Sequence, residues 1–122
     1  MATQKTSAGF DFEALRRAEE QRDLDAMLDL YADDAEMRIV NHATPPSAPQ
    51  VLRGKEEIAE SLRDVFSREM THRIEQEVIG KDRVAFNVAC EYPDGTRVLA
   101  AETLELREGK IVRQVEVVAW DE

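Results

Sequence analysis

The chain has one cysteine, two histidines, few aromatic residues and no long apolar run in its 122 residues. A single thiol excludes an internal disulfide and any cysteine-built metal site, and the two histidines form no cluster with ligand spacing. Cations are also in short supply. Sixteen Lys and Arg stand against 26 Asp and Glu, a formal net charge of -10, which repels phosphate backbones and anionic lipid surfaces. Nucleic acid and membrane are therefore not expected as partners. The first ten residues, MATQKTSAGF, contain no apolar segment of the kind a signal peptide needs. Nothing later reaches the roughly 18 apolar residues of a membrane span, so a cytoplasmic location is expected. No glycine-rich phosphate loop, Ser-His-Asp pattern, repeat or low-complexity tract is visible, and no cofactor is implied.

What remains is an ordinary globular composition, 43% hydrophobic and 34% charged, at a length suited to one core. Residues 1–9 read as a flexible arm and 10–122 as a single domain. Phe12, Leu15 and Ala18 recur at helical spacing, predicting a helix to about Arg22. Leu24, Met27, Leu28 and Tyr31 then form the stripe of a short second helix. EMRIV is a short strand, with Asp33 and Asp34 at the helix–strand junction as capping and solvating acids. NHATPPSAPQ, with three prolines, is a loop. RGKEEIAESLRDVF is a helix opened by Gly54, with Glu56 and Glu57 in its first turn and Ile58, Leu62, Val65 and Phe66 as its apolar stripe.

The rest alternates with period two. His72, Ile74, Gln76 and Val78 share a face, as do Val84, Phe86, Val88, Cys90 and Tyr92. PDG and REGK read as hairpin turns between long strands. Helices followed by antiparallel strands mean α+β, with helices on one face of a curved sheet. The outer face, with Leu99, Ala101, Val115, Val117 and Ala119, is too apolar to leave in water, so a homodimer through the sheet is expected.

Four stretches, RDLDAMLDLYADDAEM, LRGKEEIAESLRDVF, EYPDGTRV and LREGKIVRQVEVVAW, resemble the SnoaL-like polyketide cyclases and the ketosteroid isomerases of the nuclear transport factor 2-like superfamily. The resemblance spans roughly residues 11 to 121. It implies a cystatin-like cone, helices packed on a curved antiparallel or mixed sheet enclosing a deep apolar pocket, with Trp120 deep inside. That scaffold hosts isomerases, cyclases, dehydratases and binding modules, so the fold does not determine the function. The isomerase general base would fall at Ile39 and its oxyanion tyrosine near Leu15, so both are missing. The second oxyanion residue, a carboxylic acid kept protonated by an apolar site, aligns with Glu102.

Alternation then selects the inward groups. Glu102 shares a face with Val98, Ala100, Leu104 and Leu106, an environment that raises a carboxyl pKa unless an arginine such as Arg38 or Arg113 pairs with it. Gln114, Glu116, Val118 and Trp120 share the inward face of the last strand, in a register that a one-residue slip would reverse. His72 is either a satisfied core residue or a catalyst, and Tyr31 either core packing or a pocket donor. The expected acid–base set is Glu102, His72 and Glu116, and the expected ligand wall is Tyr31, Ile39, Leu62, Phe66, Phe86, Val88, Val118 and Trp120. His42 lies on the proline loop near the pocket mouth. The expected activity is cofactor-independent proton transfer (cyclisation, isomerisation or dehydration) on an apolar carbonyl compound such as a polyketide or steroid-like molecule. The alternative is a non-catalytic module of the same fold that binds a small ligand or dimerises.

Overall fold

The computed structural model describes residues 9–121. The expected arm, apart from Gly9, lies outside that range. The elements run α1 (Phe12–Glu20), α2 (Leu24–Leu28), β1 (Tyr31–Val40), β2 (Gln50–Arg53), α3 (Gly54–Ser67), β3 (Thr71–Ile79), β4 (Arg83–Glu91), β5 (Arg97–Arg107) and β6 (Lys110–Trp120). The strands form one mixed sheet in the order β2-β1-β6-β5-β4-β3, with only the β1–β6 pair parallel. The three helices pack on it, and the sheet does not close. The architecture is the α+β cone that segregated helices and strands imply.

Local chemistry sets the helix ends. Asp11 and Asp23 accept from the Ala14 and Ala26 amides at 3.2 and 3.1 Å, capping α1 and α2. Gly54 opens α3 at φ 87°, where a side chain would be strained, and Glu57 accepts the Arg53 amide at 2.7 Å. Polar contacts of Arg16 and Glu20 fasten α1 to β3. Arg16 donates to the Ile74 carbonyl at 3.2 Å and pairs with Glu77 at 2.5 Å, while Glu20 accepts the Ile74 amide at 3.0 Å. Phe12, Leu15 and Ala18 are buried beneath the helix. This anchoring matters because the last turn of α1 carries Glu19 over the sheet.

Several boundaries differ from expectation. Helix α1 stops at Glu20 because Arg22 turns at φ 52° and Asp23 caps α2. Helix α2 ends at Leu28, so Tyr31 starts a strand and does not end a helix. Strand β1 has ten residues, not five. Asp33 and Asp34 lie within it, where the pairing with β6 slips between Tyr31 and Glu36, and both side chains stay in solvent. The proline loop gives way at Gln50 to β2, whose four residues pair with β1 through Glu36–Ile39. On β3 the alternation fails at Gln76, whose φ of 57° marks a bulge between Glu75 and Val78. The bulge removes Gln76 and Val78 from the inner face, and Val78 is left 67% exposed.

The hairpins follow their residues. Gly95 turns at φ 92° beside Asp94, which accepts the Thr96 amide at 2.9 Å. Glu108 and Gly109 both take positive φ, as a two-residue turn between twisted strands requires. On β5 and β6 the expected alternation holds. Ala100, Glu102, Leu104, Leu106 and Gln114 are buried. On the opposite face Leu99 is 49% and Val117 48% exposed.

Candidate functional site

The helices and the inner sheet face enclose a cavity of about 490 Å³. Register decides which polar groups it receives. One row of paired residues crosses four strands, Ile39 on β1, Glu116 on β6, Glu102 on β5 and Phe86 on β4. Two carboxyl groups are therefore direct cross-strand neighbours on the inner face, an arrangement unfavourable for two like charges.

Glu102 is buried and bonded through a short chain. The Tyr31 hydroxyl donates to Gln114 Oε1, and Gln114 Nε2 donates to Glu102 Oε1 at 2.7 Å. Neither Arg38 nor Arg113 reaches Glu102, since they pair with Glu36 and Glu105 at the surface. Burial holds the Glu102 carboxyl well above the usual range, the charge of Glu116 pushes the same way, and the Gln114 hydrogen bond opposes both. Burial, reinforced by Glu19, lifts Glu116 to about 7. The Tyr31 phenol is raised well above 10 by burial and then by Glu102, so it remains a hydrogen-bond donor. Cys90 is pushed up to about 12 by burial and stays an unreactive thiol.

A second polar group stands on β3. His72 is 6% exposed, and its Nδ1 lies 2.7 Å from Glu19 Oε2. A carboxylate at that distance keeps the proton on Nδ1 and orients the ring. Phe66 packs edge-on to the imidazole, with centroids 5.7 Å apart. Nε2 is buried and has no hydrogen-bond partner among the described residues.

Of the residues expected at the site, Glu102, Glu116, His72, Tyr31, Ile39, Leu62, Phe66, Val88, Val118 and Trp120 all line this cavity. Two placements need correction. Phe86 does not line it. Its ring sits edge-on to Phe12 of α1 at 5.6 Å, because α1 covers that end of the row. Trp120 is not deep. It ends the last strand, is 36% exposed, and stacks edge-on with His42 of the proline loop at 4.4 Å, forming part of the cavity mouth. Glu19 and Gln114 carry more of the site than sequence alone reveals. Glu19 reads there as a polar position on an amphipathic helix, and Gln114 as a neutral neighbour of Glu116. Only the packing of α1 on β3, and the pairing of β5 with β6, bring them to the acids.

Comparison with known proteins agrees with the fold. The SnoaL-like domain profile matches residues 12–114. Curated protein sequences give no match. Among solved structures, a nuclear transport factor 2-like protein of unknown function from Mesorhizobium loti superposes with a TM-score of 0.75 at 17% identity, covering 88% of this chain and 89% of that one. A protein described as a candidate ketosteroid isomerase from Kribbella flavida superposes at 0.71 with 15% identity, covering 91% and 75%. A de novo designed protein with a curved β-sheet reaches 0.69 at 14% identity, covering 88% and 84%. These likenesses are of fold, since a designed chain shares them. The chain belongs to the SnoaL-like domain family.

Proposed function

We propose that the protein is a cofactor-independent acid–base catalyst acting on an apolar carbonyl compound, by cyclisation, isomerisation or dehydration. The observation that carries this reading is the row Ile39–Glu116–Glu102. In the isomerases this chain resembles, the base stands where Ile39 is. Here Glu116 projects from the adjacent strand at the same level, so a carboxylate is displaced by one strand and not lost. Two neighbouring carboxyls that cannot both ionise cheaply divide the roles of base and acid. Glu116, titrating at about 7, takes a proton from the carbon next to the carbonyl. Glu102 keeps its own proton and donates a hydrogen bond to the oxygen as negative charge develops. Gln114 engages Oε1 of Glu102, which leaves Oε2 to carry that proton. The His72–Glu19 pair is a second base of the oriented kind.

The test does not depend on the identity of the natural substrate. Apolar ketones that bind the cavity are incubated with the protein in deuterated buffer, and exchange beside the carbonyl is followed by NMR. Exchange above the buffer rate is expected, and Glu116→Gln is expected to slow it by about 10² to 10⁴, the usual worth of a positioned base. Binding without any exchange would favour the non-catalytic module, a reading that the aliphatic Ile39 at the family's base position supports.

The outer face of β5 and β6 leads to a related proposal. Leu99, Val115 and Val117 are exposed there beside Ala101 and Ala119, and a second copy of the chain is the cover we assign. Sedimentation at micromolar concentration is expected to show a dimer, and Val117→Asp a monomer that retains its fold. A parent protein that sediments as a monomer would contradict this assembly.

A further inference from the structure

The hydrogen-bond chain beside the acids has a direction. Tyr31 is buried on β1, and its hydroxyl bonds Gln114 Oε1 and no other group among the described residues. Burial keeps the phenol protonated, so it has one proton to place, and Gln114 Oε1 receives it. Gln114 is buried too, paired with Met37 of β1 and Leu104 of β5, where an unbonded amide end is costly. With Oε1 taken, Nε2 faces Glu102 and donates to its Oε1 at 2.7 Å.

Gln114 and Glu102 alone would allow the opposite direction. A primary amide has nearly the same shape when turned end for end. Turned over, Gln114 would offer Oε1 to Glu102, and a protonated Glu102 would give its hydrogen to the amide. Tyr31 opposes that arrangement, because Nε2 would then meet the phenol oxygen and leave the buried phenol proton without an acceptor. The backbone brings the hydroxyl within reach. Extended back from Glu36–Arg113, the pairing of β1 with β6 would put Tyr31 opposite Glu108. The slip in register puts it opposite Ile111, closer along the strand to Gln114.

We propose that Tyr31 is a positioning residue. Acting through Gln114, its hydroxyl fixes the amide so that Glu102 receives a hydrogen bond from the protein and keeps its own proton for the substrate oxygen. The inference rests on the reading of Glu102 as the acid, and assigns the residue that aims it.

Tyr31→Phe removes the hydroxyl and keeps the ring. The amide is then free to turn, and Glu102 exchanges a donor for an acceptor. The Gln114 donor holds the Glu102 carboxyl down against burial and the charge of Glu116, so its loss raises the midpoint. The other charged and titratable groups lining the cavity are Glu19 on α1, His72 on β3, Cys90 on β4 and Glu116 on β6, with Arg68 after α3 and Tyr92 after β4. The substitution leaves all of them in place. Simple loosening would act the other way, since water admitted beside Glu102 favours its ionised form and lowers the midpoint.

Carbon-13 titration of the Glu102 carboxyl in the whole chain carrying Tyr31→Phe, alongside the ketone exchange assay, tests this. The midpoint is expected to rise, and exchange to slow by about 10-fold or more with ketone affinity unchanged. In a Gln114→Met background, Tyr31→Phe is expected to leave the Glu102 midpoint where it is, because the intermediary is gone. A midpoint that falls or stays in the single variant would overturn the proposal, as would an equal rise in the Gln114→Met background. Should a variant fail to fold, the parent protein decides, since one Gln114 side-chain amide proton, held by Glu102, should shift as Glu102 titrates. An amide that ignores that titration would overturn the chain. Exchange by the parent, with an unmoved midpoint in Tyr31→Phe, would remove Tyr31 and leave the acid–base reading standing. A parent protein that exchanges no ketone would remove that reading, and the catalytic part of this role with it.

Discussion

Replacing Glu116 by glutamine is expected to reduce a loss of stability that the parent protein suffers on going from acid to neutral pH. Burial raises this carboxyl from 4.5 to about 7, so the folded state holds the proton more tightly than the unfolded state does. Stability from such a group is complete below the unfolded value and is lost as pH rises through the folded one. The shift corresponds to about 3 kcal/mol between about pH 4.5 and 7. Glu102 is raised in the same direction by burial and by Glu116, and the two titrate as a pair. Glu102→Gln should therefore flatten the same profile, while keeping a side chain that can still meet Gln114. Denaturant midpoints measured across this range provide the check. Profiles identical to the parent for both variants would place the two acids in water or in ion pairs.

Truncating Phe12 to alanine is expected to cost about 3 to 5 kcal/mol, the usual range for a fully buried aromatic ring. The ring is wholly inaccessible, packs edge-on to Phe86, and lies under the Arg16 guanidinium. The melting temperature should fall by roughly 10 to 20 °C. Affinity of the folded variant for an apolar ligand should stay the same, since neither Phe12 nor Phe86 borders the cavity. Phe86→Ala should behave alike. Loss of ligand affinity with stability intact would return Phe86 to the pocket wall.

These two variants separate what the sequence makes legible from what it hides. The alternation on β5 places Glu102 inward, and that on β6 places Gln114 and Glu116 beside it, because uninterrupted two-residue periodicity reads directly as a face. The same logic fails on β3 past Glu75. The bulge at Gln76 comes from backbone geometry that the run HRIEQEV does not announce. For Phe86, alternation gives the correct face but the wrong compartment. A strand pattern tells inside from outside, yet not whether a helix covers the inside position. Trp120 departs from expectation in the same way, since position along the strand, and not face, puts it at the mouth beside His42. Glu19 has no signal beyond an acid on a helix, and its role depends on the Arg16 and Glu20 contacts that fix α1 on β3. Strand β2 is hidden by the prolines that precede it, although Gln50–Arg53 pairs fully with β1.

The pairing of Glu102 with Glu116 is the centre of the account, because the proposed base and the proposed acid both depend on it. Carbon-13 NMR titration of the glutamate side-chain carboxyls observes it without any substrate. Two resonances are expected to titrate far above the ordinary glutamate value of about 4.3, one of them near 7. Each should be assigned by its disappearance in Glu102→Gln or Glu116→Gln, and removing Glu116 should lower the midpoint of Glu102. Glutamate carboxyls that all titrate close to the ordinary value would contradict the buried pair and the chemistry built on it.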